Sequence, residues 1–105
     1  MLERDIEKKL VKSIRLLGGR AYKWVSPGNS GVPDRIVVLP GGRVIFVELK
    51  TDTGSLTPLQ KRQISVLESI GAEVMVVKGE NGLRDFIDYC NSILSFDFVR
   101  SHIGG

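Results

Sequence analysis

The chain has 105 residues, 42% hydrophobic and 26% charged, with a formal net charge of +3 and an isoelectric point near 9.2. This predicts one soluble domain over residues 1–105 and excludes a disordered chain. The charge permits a nucleic-acid partner without demanding one. No apolar run reaches the roughly 20 residues a membrane-spanning helix needs, the opening MLERDIEKKL lacks a signal-peptide core, and a lone Cys90 excludes an internal disulfide, so the expectation is a cytoplasmic protein with no membrane partner.

Residues 2–18 read as a helix, because Ile6, Leu10, Ile14 and Leu17 recur at helical spacing, with Leu2 and Val11 on or near that face. Gly18 and Gly19 stop it. Residues 21–25 form a short strand, and SPGNSG is a loop by composition. Two β-rich runs follow, 35–39 and 43–49, joined by Pro40-Gly41-Gly42, the signal for a hairpin with a three-residue loop. Both runs are more apolar than strict alternation predicts, so part of the hairpin is expected to be covered on both faces.

Thr57 begins the next helix, with Pro58 in its first turn and Gln60 completing a T-x-x-Q capping box. Leu59, Gln63, Val66, Leu67 and Ile70 mark its inward face, and Gly71 ends it. Residues 73–77 form another strand. Asn81 caps a final helix that turns Leu83, Phe86, Ile87, Cys90 and Leu94 inward. Residues 96–105 remain an unassigned tail. The order α-β-β-β-α-β-α predicts an α/β domain, a mixed sheet flanked by helices.

The hairpin gathers charge at one end. If Leu39 pairs with Arg43 across the turn, Asp34 faces Glu48, with Cβ atoms about 5 Å apart. Glu48 and Lys50 are two apart and share a face. A one-residue slip would put the two carboxylates on opposite faces, so the reading depends on the turn. Carboxylates this close repel unless something positive lies between them. A hard cation with oxygen ligands, Mg²⁺ or Mn²⁺, suits them, and the Leu49 backbone carbonyl offers a third oxygen. Zn²⁺ would want Cys or His, and Cys90 and His102 are far off in sequence. Such a site fits phosphodiester hydrolysis, with Lys50 holding water, helping to deprotonate it, or stabilising charge. The plainer reading, a turn aspartate and two solvent-facing charges at a strand end, applies to many short PD…ExK matches.

In combination, GVPDR, VIFVELK and LTPLQ resemble the VRR-NUC nucleases, a branch of the PD-(D/E)xK superfamily, over residues 3 to 78. The resemblance implies a restriction-endonuclease-like core and Mg²⁺- or Mn²⁺-dependent DNA cleavage. Asp34 and Glu48 match the metal carboxylates, Lys50 the motif lysine, and Gln60 the glutamine that opens the following helix. The family also uses a glutamate on its first helix; Glu3 and Glu7 are the candidates, and Glu7 is favoured, beside Ile6 and one turn before Leu10 and so near the buried edge, as an active-site residue and a candidate metal contact. Stand-alone phage and bacterial members resemble Holliday-junction resolvases. The expected partners are therefore branched, four-way DNA and a second copy of the chain in a homodimer, whose two-fold axis matches that of a junction. Lys23, Arg35, Arg43, Lys61 and Arg62 are candidates for meeting DNA phosphates. Trp24 either stacks on an unpaired base or packs internally. A flap, nicking or restriction-type nuclease and a non-catalytic DNA-binding module are the competing readings. Cys90 and His102 read as structural or incidental.

Overall fold

The computed structural model of the protein describes residues 1–103, with side chains through Arg100. Its elements are α1 (Glu3–Leu16), β1 (Arg20–Lys23), β2 (Arg35–Val38), β3 (Val44–Lys50), α2 (Pro58–Ser69), β4 (Val74–Lys78) and α3 (Gly79–Ile103). The four strands form one sheet in sequence order. The first three run antiparallel, and β4 returns parallel to β3 after α2. This is the mixed sheet and the element order expected from the sequence.

Pro40, Gly41 and Gly42 set the register that the rest inherits. Both glycines take positive φ, at 91° and 88°, which side chains resist. Leu39 N donates to Arg43 O at 2.8 Å and Gly42 N to Leu39 O at 2.9 Å. Val38 then faces Val44, and Arg35 faces Val47.

The helical stripe of α1 buries Ile6, Leu10 and Ile14 against one face of the sheet. Val37, Ile45, Val47, Leu49 and Val77 form that face, and α3 adds Leu83, Phe86, Cys90 and Ile93. Burial of Cys90 pushes its thiol up to about 11, as befits a packing residue. The final helix starts at Gly79, two residues before the expected cap at Asn81. It continues through most of the tail left unassigned from sequence, carrying Phe96 out to 65% exposure. His102's side chain and residues 104–105 lie outside the described part.

α2 departs from expectation. Its capping box forms as read, with Gln60 N donating to Thr57 Oγ1 at 3.1 Å and Thr57 N to Gln60 Oε1 at 2.9 Å. Yet the helix has no buried residue. Leu59, Val66 and Ile70, expected inward, are exposed, Ile70 to 76%. The physical reason is that α1 and α3 occupy one sheet face together, while α2 alone lies on the other and meets it chiefly along β4. Val44 and Val76 on that second face are correspondingly exposed, so the hairpin is covered on one side and only partly on the other.

Phe86 is 1% exposed within the main core. Phe86→Ala should lower unfolding free energy by about 3–5 kcal/mol, read from urea denaturation, because the cavity it leaves is walled by both long helices and the sheet.

Candidate active site

The turn places Asp34 and Glu48 opposite each other at the far end of the hairpin. Hydrogen-bonded and non-hydrogen-bonded pairs alternate along an antiparallel ladder. Leu39 and Arg43 are a bonded pair, so Asp34 and Glu48 fall on a non-bonded one, where side chains stand closest. Pro33, buried beside them, is the residue that this register sets opposite Leu49. Proline has no N–H, so the ladder cannot offer a donor to the Leu49 carbonyl. The Leu49 N–H, aimed the same way, donates instead to Asp34 Oδ2 at 2.8 Å. The strand pair thus opens at this point, with the Leu49 carbonyl facing the gap.

Glu48 is 2% exposed, the one buried charged residue of the described core. Burial is the largest cause that drives its carboxyl up to about 8; next come the charge of Asp34 and a hydrogen bond with the Asp34 side chain, against the opposing pull of Lys50. Such an upward shift is the sign of a site crowded with negative charge. Glu48 Oε2 also lies 3.6 Å from Lys50 Nζ and accepts from Gln60 Nε2 at 3.2 Å. Gln60 therefore works at both ends of its amide. Its oxygen caps α2, and its NH₂ group holds Glu48 in place.

Gly31 makes this reach possible. Its φ is 88°, and a Cβ there would lie 2.7 Å from the Leu59 carbonyl carbon and 3.0 Å from Gln60 N. The loop before Pro33 and Asp34 is thereby pressed against the first turn of α2.

The structure brings Asp34, Glu48, Lys50 and Gln60 together, and it separates the two helix glutamates. Glu3 feels Asp34, Lys50 and Glu7: its carboxyl is raised, first by lost hydration, then by the Asp34 charge. Glu7 instead accepts from Arg35 Nε at 2.9 Å. The two glutamates differ for a geometric reason. A neighbour in sequence is rotated about 100° around a helix, so Glu7 turns away from the Ile6 stripe toward the edge of β2. Glu3, three residues before Ile6, continues that stripe to the end of the helix above the site.

Two of the five basic candidates have partners within the chain. Arg35 is engaged by Glu7 and by the Ala21 carbonyl at 3.1 Å. Arg43 sits at the turn, bound to Glu73 and Tyr89, while Tyr89 donates to Glu73 in turn. Five residues of β3 put Arg43 about 17 Å from Glu48. Lys23, at the site end of β1, and Lys61 and Arg62, beside Gln60, remain exposed. Trp24 packs on Phe46, ring centroids 5.2 Å apart, as an internal contact on the Glu48 face.

Among the described residues, no three Cys, His, Asp or Glu side chains converge in a way that could hold a metal ion. Two carboxylates and a main-chain carbonyl are the donors present. They suit Mg²⁺ or Mn²⁺, since Mg²⁺ is held by one or two carboxylates and keeps several waters. The burial of Glu48 beside the Asp34 charge is itself an observation in favour, because a divalent cation there would offset the crowded negative charge.

Glu48 also makes stability depend on pH. Its folded value of about 8 lies above the ordinary 4.5, so the folded state holds a proton that the unfolded state releases between those limits. Its contribution is fully present below pH 4.5 and is lost as pH rises through about 8. In EDTA, wild-type stability should fall by on the order of 1 kcal/mol per pH unit inside that window. Glu48→Gln should flatten the slope in denaturant titrations run from pH 5 to 8.

Comparison with known proteins identifies the family. The model of the VRR-NUC domain matches residues 3–81. "Putative nuclease p44" of Acyrthosiphon pisum secondary endosymbiont phage 1 is 48% identical over 79 residues, which cover 75% of this chain and 85% of that protein. A solved VRR-NUC domain superposes with a TM-score of 0.77 at 32% identity, over 82% of this chain and 94% of its own. A second solved VRR-NUC domain protein, at 20% identity, shares the fold with a TM-score of 0.64, over 84% and 86% of the two chains. The matched span runs from Glu3 through β4 and takes in every residue of the Asp34–Glu48–Lys50–Gln60 group, so this chain belongs to the VRR-NUC domain family.

Proposed function

We propose that this chain is a Mg²⁺- or Mn²⁺-dependent endonuclease that hydrolyses DNA phosphodiester bonds, acting on branched DNA as a junction resolvase does. The observation that carries the reading is Glu48, buried against Asp34 with Lys50 Nζ 3.6 Å away, at the open end of a hairpin. A protein gains little stability from burying such a group, so a functional use is favoured. The family and the phage relative described as a nuclease support the same class of reaction.

Asp34, Glu48 and the Leu49 carbonyl would hold the cation. When bound, it supplies an acidified water and neutralises charge on the phosphate. Lys50 is largely buried and tied to Glu48, so it presents a fixed ammonium where negative charge grows on the phosphate in the transition state. Gln60 keeps the Glu48 carboxylate from turning away. Glu3 stands at the rim, where its charge acts on Asp34 and Lys50.

Two features support a symmetric assembly on branched DNA. The chain leaves an apolar stripe on α2, Leu59, Val66 and Ile70, beside the half-covered sheet face, and a second copy is the occupant this reading gives it. A two-fold dimer also presents two such sites to a junction with the same symmetry.

The test is a panel of labelled substrates, linear duplex, flap, nicked duplex and four-way junction, cut in Mg²⁺ by wild type beside Asp34→Asn. Paired symmetric nicks on the junction are expected, with no product from Asp34→Asn. Equal cutting of linear duplex rules out branch specificity, and no cutting of any DNA in Mg²⁺ or Mn²⁺ rules out the nuclease. Lys50→Ala should lower turnover by about 100-fold, the scale of losing one positioned charge stabiliser. Glu3→Gln should slow single-turnover cleavage more than Glu7→Gln does, and the reverse order would return the role to Glu7.

A further inference from the structure

A groove of about 570 Å³ runs along the outer flank of α1. Arg4, Lys8, Lys12, Arg15 and Arg35 line it, with Glu7 as its one carboxylate. Arg35 and Glu7 neutralise each other at 2.9 Å. The other four cations form no ion pair among the described residues. Lys9, round the helix from them, is by contrast paired with Glu80 at 2.7 Å.

The spacing is ordered. Arg4, Lys8 and Arg15 fall at i, i+4 and i+11, a single line on an α-helix, with Val11 between them at the groove floor. Eleven residues at 1.5 Å each give a stripe of about 16 Å. A nucleic-acid strand carries one phosphate per nucleotide, so a stripe of this length meets more than one of them. Val11 gives the aliphatic stems of the long side chains a surface to lie on while their charged heads stay in water.

A solvated helix face is the plain alternative, and charge distribution argues against it. The groove's one carboxylate, Glu7, is already taken by Arg35, so its four other cations line a single groove with no counter-charge within it. The stripe begins at Arg4, next in sequence to Glu3, whose carboxyl feels the Asp34 and Lys50 charges.

We propose that this groove carries the phosphate backbone of a nucleic-acid strand leading away from the site, with Arg4, Lys8, Lys12 and Arg15 as its contacts. The inference rests on the nuclease reading for the direction of the strand; binding itself is measured without cleavage. Affinity for a fluorescent four-way junction is determined in EDTA, on the Asp34→Asn background, from 50 to 200 mM salt. Each phosphate contact contributes about 0.9 to the slope of log affinity against log salt. Lys8→Ala with Arg15→Ala should make the slope shallower by between about 1 and 2, with unfolding curves showing both proteins folded. Arg84→Ala with Arg100→Ala removes the same charge from α3 and should leave the slope in place. An unchanged slope in the α1 pair, an equal loss in the α3 pair, or no binding of the parent protein overturns the proposal. Cleavage of the panel by wild type, scored separately, decides the nuclease reading: a shallower slope with no cleavage keeps the groove and rejects the nuclease, and cleavage with an unmoved slope does the opposite.

Discussion

The structure depends on where one strand ladder is forced to stop. Pro33 cannot donate to Leu49, so β2 and β3 part just past Asp34 and Glu48. The alternation of the ladder makes those two the close-standing kind of pair. The same break leaves the Leu49 amide for the Asp34 carboxylate and turns the Leu49 carbonyl toward the gap. The geometry of the hairpin is thus set by a turn at one end, Pro40-Gly41-Gly42, and a missing N–H at the other.

A buried carboxyl such as Glu48 is costly unless its surroundings compensate. Here the compensation comes from three elements. Lys50 comes from the same strand, Asp34 from the paired strand, and Gln60 from the first turn of α2. Gln60 is the link between folding and chemistry. An amide can accept from Thr57 N and donate to Glu48 at once, whereas a carboxylate there could cap the helix but would add another negative charge beside Glu48. The close contact of Gly31 with Leu59 and Gln60 locks that turn against the PD loop, so α2 is held to the site at its start even though none of its residues is fully buried.

Closeness along the chain and closeness in space part company at several residues. Glu7 adjoins Ile6 but is turned away from it, and Arg43 lies five residues from Glu48 along an extended strand that carries it to the opposite end of the hairpin. The apolar stripe of α2 was legible, and its burial was inferred because an isolated helix with such a stripe needs a partner. Within this single chain the partner surface on that side of the sheet is small, and the stripe stays open.

What the sequence determined by itself is the set of local elements and the hairpin register. Proline and glycine fix backbone angles, and periodicity fixes faces; both act over a few residues and need no knowledge of the rest of the chain. That was enough to bring Asp34, Glu48 and Lys50 to one end and to recognise Gln60 through its capping box and family motif. Only the tertiary structure decided which helix glutamate stands above them, which arginines are already engaged by carboxylates, and which helix face is left bare. Those outcomes follow from how α1, α2 and α3 pack on the two sides of one narrow sheet, a competition for surface that no local pattern encodes.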